Sequence, residues 1–271
     1  MTKAGLFGVV SFVVIFALLF TQSISFQQAD FDGAYLMRKQ HRSRYFDYYC
    51  TDQDQPALPQ LSSLLENNVR LIRRNLKSES REGIIVEIYP HLTAFHEAIG
   101  QPHSPDWAVG YGGEGKIQIV SPLNPGPHHS FDTILKVAVH EMTHVITARM
   151  LTQRIPTWLN EGIALYESQT AENIREALLP NIEQNLIPTF ADLDITPDGS
   201  SDINTFVDHN GYEYSYTIVE FIVDRYGYDS LAALLHSPQD FTEIFGLNED
   251  EFYGEWVDFI RQVYGPRPAN R

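Results

Sequence analysis

Apolar residues along the chain follow two rhythms, and the changes between them mark its elements. From 58 to 76, Leu61, Leu64, Leu65, Val69, Ile72 and Leu76 recur at helical spacing with Arg70, Arg73 and Arg74 outward, which predicts an amphipathic helix. Residues 84–89, Ile-Ile-Val-Glu-Ile-Tyr, are short, β-branched and closed by Pro90, so they predict a strand. A short helix over 92–99 stopped by Gly100 follows, then a glycine-linked strand pair at 107–110 and 115–120. From 131 to 151, Leu135, Val139, Met142, Ile146 and Met150 form one stripe, capped by Ser130 or Asp132. Further apolar residues fill the other faces of this segment, as in a helix buried centrally. Pro156 and Thr157 open the next helix, 158–167. Helical spacing then returns at 172–179, 209–227 (ended by Gly227), 231–235, 241–245 and 251–263. The domain is thus expected over 56–265, a sheet-bearing half at 56–126 followed by a helical half at 127–265, which is an α+β arrangement.

The N-terminus has a different pattern. After Lys3, residues 4–20 are uncharged and almost continuously apolar, a length between that of a signal peptide and that of a spanning helix. Residues 1–28 are therefore expected to be a targeting segment that exports the protein, either cleaved to release it or retained as a membrane anchor. Residues 29–55 hold Tyr35, Tyr45, Phe46, Tyr48 and Tyr49 among many charges and lead to Pro56 and Pro59. They are expected to form a stalk or a loosely packed arm.

Composition narrows the partners. The single cysteine, Cys50, cannot form an internal disulfide, so an exported domain must be held by its core and by any metal it binds. About 240 mature residues are enough for one substantial core. A net charge of −16 argues against nucleic acid or an anionic surface as the main partner.

The chemistry concentrates in the buried helix. His140-Glu141-Met142-Thr143-His144 places two imidazoles one turn apart on one helical face with a carboxylate beside them. Two neutral imidazoles at this spacing bind one Zn²⁺, and the intervening glutamate is placed to take a proton from water. Glu161, on an early turn of the next helix, can supply a third ligand and leave one position open, as in a catalytic site. Gly162 is expected to keep a side chain from crowding the ion or the first helix. Glu167 is the rival third ligand, but six residues from Glu161 it falls on the far side of the helix. His91, His96 and His103 are weaker candidates, and His128 and His129 slightly better ones as substrate or metal contacts.

His140-Glu141-Met142-Thr143-His144 followed by Trp158-Leu159-Asn160-Glu161-Gly162-Ile163-Ala164 resembles the gluzincin metallopeptidases, most closely the small bacterial peptidase MA-like proteins. The resemblance implies a zincin-like fold with a small N-terminal sheet, an active-site helix and a helical C-terminal half. It implies one Zn²⁺ on His140, His144 and Glu161, Glu141 as the base, and a peptide or protein as substrate. It also implies a substrate-binding edge strand at 116–120, a docking turn at 187–193, and a tyrosine facing the metal at the start of the 209–227 helix. Tyr212 aligns best with that tyrosine, and Tyr216 shares its face. Two departures are visible. The chain lacks the Gly-x-Met-Glu-Asn segment of the related aminopeptidases, so cleavage of internal bonds is expected. The position four after Glu161, acidic in many gluzincins, is Leu165. Two other readings stay open: a tethered binding protein with a structural or vestigial zinc, and a zinc hydrolase of cell-wall peptides.

Overall fold

The computed structural model describes residues 37–196 and 201–266. The expected targeting segment at 1–28 and the first part of the expected arm lie outside the described residues. Among the described residues no helix is long and apolar enough to cross a membrane.

A five-stranded mixed sheet is built from β1 (Arg38–Arg42), β2 (Phe46–Cys50), β3 (Ile84–Tyr89), β4 (Gly110–Gly113) and β5 (Lys116–Val120), in the order β1-β2-β3-β5-β4. The β1 and β4 pairings are antiparallel, and the central β2, β3 and β5 run parallel. The β1–β2 hairpin corrects the expected arm. Phe46, Tyr48 and Cys50 point inward and are buried, while Asp47 and Tyr49 are half-exposed. This period-two pattern spans only five residues amid charges, and the parallel partner, β3, lies more than thirty residues away. Local sequence does not display that pairing.

The expected edge strand is corrected too. Lys116–Val120 lies between β3 and β4, and the sheet ends at the glycine-rich β4. Helices α1 (Leu58–Asn75) and α3 (Phe131–Ala148) pack against the sheet, joining one core that includes Val86, Ile88, Ile117, Ile119, Val69 and Ile72. Helix α2 (Leu92–Ala98) contributes Ala94 and Phe95 to a separate cluster around Tyr89, with Met37 and Tyr111 against it. Arg73, expected to face outward, is buried; its guanidinium lies over the Tyr45 ring and donates to the Glu82 carbonyl at 3.0 Å.

The helical half contains α4 (Thr157–Ser168), α5 (Ile174–Glu183), α6 (Ile203–Asp208), α7 (Gly211–His236), α8 (Phe241–Phe245) and α9 (Glu249–Tyr264). Helix α3 is capped by Ser130, whose hydroxyl accepts from the Thr133 amide, and is buried along nearly its whole length. Helix α4 is capped from a distance: Asp194 accepts from both the amide and the hydroxyl of Thr157, at 2.7 and 2.9 Å. The turn at 187–193 docks there, with Phe190 stacked on the buried Trp158 ring at 5.2 Å. In α7, Gly227 at φ 80° interrupts the helical backbone, and a further helical segment runs on to His236.

Gly162 has a different role from the one expected. A Cβ there would overlap the Ser215 carbonyl oxygen and come within 2.7 Å of Val219 Cγ2, both on α7. The glycine lets the α7 backbone approach the helix that carries Glu161. Gly162→Ala should force the two helices apart and destabilise the fold by about 1–3 kcal/mol, read in thermal melts as a drop of ~2–4 °C per kcal/mol. An unchanged melting temperature would show that α4 and α7 are not held in this contact.

Candidate metal centre

Helix α3 brings His140 and His144 onto one face, with the two rings edge to face at a centroid separation of 4.8 Å. Their Nε2 atoms lie 3.1 Å apart. The Glu161 carboxylate on α4 closes the triangle, with Oε2 3.4 Å from His140 Nε2 and Oε1 3.6 Å from His144 Nε2. Tetrahedral bonds of about 2.0–2.1 Å to one zinc would hold neighbouring ligand atoms roughly 3.3–3.4 Å apart, so the three donors already have the spacing of a shared ion. Among the described residues these three form the one group of His, Cys, Asp and Glu side chains that could hold a metal.

His140, Glu141, His144 and Glu161 are all buried. Such a set is costly unless its members are paired or ligate a metal. Burial would raise the Glu161 carboxyl, but the two imidazoles outweigh it and hold the acid well below its ordinary range. Burial likewise opposes protonation of His144, but the Glu161 and Glu141 carboxylates outweigh it and pull the imidazole upward. In His140 burial dominates and lowers the pKa. Burial and the Glu161 charge push Glu141 up to about 8 against the opposing pull of His144 and the Gly112 amide, and no side chain hydrogen-bonds either of its oxygens. Those two oxygens, the Glu161 Oε2 and the Nδ1 atoms of both histidines are buried without hydrogen-bond partners. The Asn160 side chain lies beside His144 and favours its protonated ring, whereas Leu165 offers no polar group to either imidazole. A divalent cation would satisfy the donor triangle and compensate the adjacent carboxylate.

Strand β4 forms the other wall. A Cβ at Gly110 would meet Val137 Cγ1 at 2.5 Å and Glu141 Oε1 at 2.9 Å, and one at Gly112 would overlap the Glu141 carbonyl oxygen. The glycines on this face set the strand backbone directly against the turn of α3 that carries Glu141.

Tyr212 and Tyr216 separate. Tyr212, buried on the first turn of α7, lies near enough to Glu161 and Glu141 for both charges, after burial, to raise its pKa well above 10. Tyr216 is not brought to the triad: its ring packs on Tyr166 at 5.7 Å, and Glu220 and Asp224 surround it. Four helical residues advance the chain by ~6 Å, which carries Tyr216 past the site. Glu167 is tied to α1, accepting from Asn75 at 3.2 Å. Three of the other candidate histidines hold backbone in place. His91 caps α2, His96 bonds the Ala108 carbonyl at 2.8 Å and His129 the Trp107 carbonyl at 3.1 Å, while His103 and His128 are exposed.

Sequence reasoning passed over Glu213. It is buried beside Tyr212 with both oxygens unpartnered, and burial raises its pKa from 4.5 to about 7. A lone glutamate in the apolar opening of a helix was the available signal.

A family model described as the Peptidase MA superfamily matches residues 69–256, a span that contains all three donors. No curated protein matches the chain.

Two measurements follow from this geometry. His144→Ala should abolish stoichiometric zinc in elemental analysis after dialysis; one retained equivalent would place the ion elsewhere. Between pH 4.5 and about 7 the folded protein keeps a proton on Glu213 that the unfolded chain has released, so this group's stabilising effect is present at low pH and is lost as pH rises through 7. Glu213→Gln should therefore flatten that fall and gain up to ~3 kcal/mol at pH 8, whereas parallel pH profiles of melting temperature would sink the assignment.

Proposed function

The chain belongs to the peptidase MA superfamily and carries a gluzincin-like ligand set, and from that premise we propose that it is a zinc metalloendopeptidase. The family match and the buried His140, His144 and Glu161 group fit a zinc metallopeptidase; cleavage of internal bonds is the finer part of the proposal. The single observation that carries it is the donor triangle with edges of 3.1, 3.4 and 3.6 Å beside an unpartnered Glu141.

His140, His144 and Glu161 would hold the ion, and a bound Zn²⁺ supplies a Lewis acid that acidifies water and polarises the scissile carbonyl. Glu141 works as the proton carrier, because its buried carboxylate takes a proton from water and returns it to the leaving amide nitrogen. The position of Tyr212 supports a role at the developing oxyanion. Burial and the neighbouring carboxylates keep the phenol protonated, so it donates a hydrogen bond where negative charge accumulates. Among the described residues β4 is the last strand of the sheet, and its outer edge beside Glu141 offers backbone groups to an extended peptide, a mode of pairing that needs no chain terminus.

Glu141→Gln should retain zinc and reduce kcat/KM on an internally quenched, end-blocked peptide library by at least ~10³-fold. Tyr212→Phe should lower kcat by ~10²-fold with KM little changed. Cleavage only of peptides with a free amino terminus would replace the endopeptidase reading with an exopeptidase one. A zinc-loaded protein inert toward peptides but active on cross-linked cell-wall peptides would move the substrate class.

A further inference from the structure

The charge of the chain is segregated: residues 38–81 carry nine Lys and Arg against five Asp and Glu, whereas residues 157–266 carry three against twenty-one. The overall −16 therefore hides a basic region. Contacts within the fold draw its β1–β2 turn, α1 and the segment before β3 together. The β1–β2 turn sits on α1, with the Ser43 hydroxyl and Tyr45 amide donating to Glu66 at 2.6 and 2.8 Å. The guanidinium groups of Arg44 and Arg73 lie 5.1 and 5.0 Å from the Tyr45 ring centre. Arg73 and Arg149 both donate to the Glu82 carbonyl, which brings the start of β3 and Arg81 alongside.

Arg44, Arg70, Arg74 and Arg81 on this surface are exposed, and among the described residues none has a carboxylate within ion-pair distance. By contrast, Arg38 is paired with Asp52, and Lys39 and Arg42 with Asp47. Leu71, 44% exposed, stands beside Arg70 on the outer side of α1. Unpaired guanidinium groups around an exposed leucine fit a boundary that supplies both anionic headgroups and an apolar layer.

We propose that this arginine-rich surface is the membrane-facing side of the domain and settles on anionic phospholipid headgroups. The chain leading into it favours a membrane over nucleic acid. The apolar run 4–20 is joined to the first described residues by the sixteen residues 21–36, which reach at most ~55 Å. A retained apolar segment makes the encounter of surface and headgroups intramolecular, which raises their effective concentration. The acidic helical elements are repelled by the same headgroups, so the approach is oriented.

The test uses the full chain reconstituted in phosphatidylcholine vesicles, with or without phosphatidylglycerol, and a quencher attached to the lipid headgroups. A fluorophore is placed at Leu71→Cys or, in a second sample, at Leu186→Cys; Cys50 is buried and stays unlabelled. The label at 71 should be quenched more strongly in anionic than in neutral vesicles, and the effect should fade in high salt, while the label at 186 stays unquenched. Each of Arg44→Gln, Arg70→Gln, Arg74→Gln and Arg81→Gln should weaken the surface contact by about fivefold without loss of peptidase activity. Equal quenching at 71 in both lipids, stronger quenching at 186, or tighter binding of an oligonucleotide than of anionic vesicles would overturn the proposal.

Discussion

Four ionisable side chains, His140, Glu141, His144 and Glu161, are packed into the interior on two adjacent helices. Taking each such group out of water costs several kcal/mol even after relaxation. The first compensation is mutual, since the Glu161 carboxylate bridges the two imidazoles and each stabilises the charged form of its neighbour. That leaves Glu141 raised and unpartnered, a state that suits a proton carrier beside a cation better than a structural ion pair. The rest of the architecture keeps these groups buried and aligned. Helix α3 is enclosed by the sheet, α1 and α4, so the imidazoles have little freedom to turn toward solvent.

Close backbone approach is the second requirement, and glycines provide it at three places. Gly110 and Gly112 let β4 lie against the turn of α3 that holds Glu141, and Gly162 lets α7 lie against the turn of α4 that follows Glu161. The α7 contact also brings in Tyr212. The donor triangle, the Glu141 carboxylate, the Tyr212 phenol and the edge of β4 thus depend on side chains that are missing as much as on those that are present. A methyl group at Gly112 or Gly162 would meet backbone, which cannot move aside as a flexible side chain can.

The charge distribution follows a different logic from the site. The acidic residues concentrate in the helical half, while the arginines gather where the β1–β2 turn, α1 and the start of β3 meet. Whole-chain net charge averages over this separation and so misses the character of that face.

The helix with its two histidines, the strand at 84–89, the helix bearing Glu161 and the α+β class were legible in the sequence, because each follows from local periodicity and from a motif whose spacing matches one helical turn. Four features were not. The β1–β2 hairpin depends on a parallel partner more than thirty residues away, and the identity of the edge strand depends on the order in which strands pair. The separation of Tyr212 from Tyr216 depends on where α7 crosses α4, and the purpose of Gly162 on which backbone arrives at it. Spacing along a helix determines which residues share a face. Which element covers that face is settled only by packing among distant segments, and that decided which tyrosine lies near the donors.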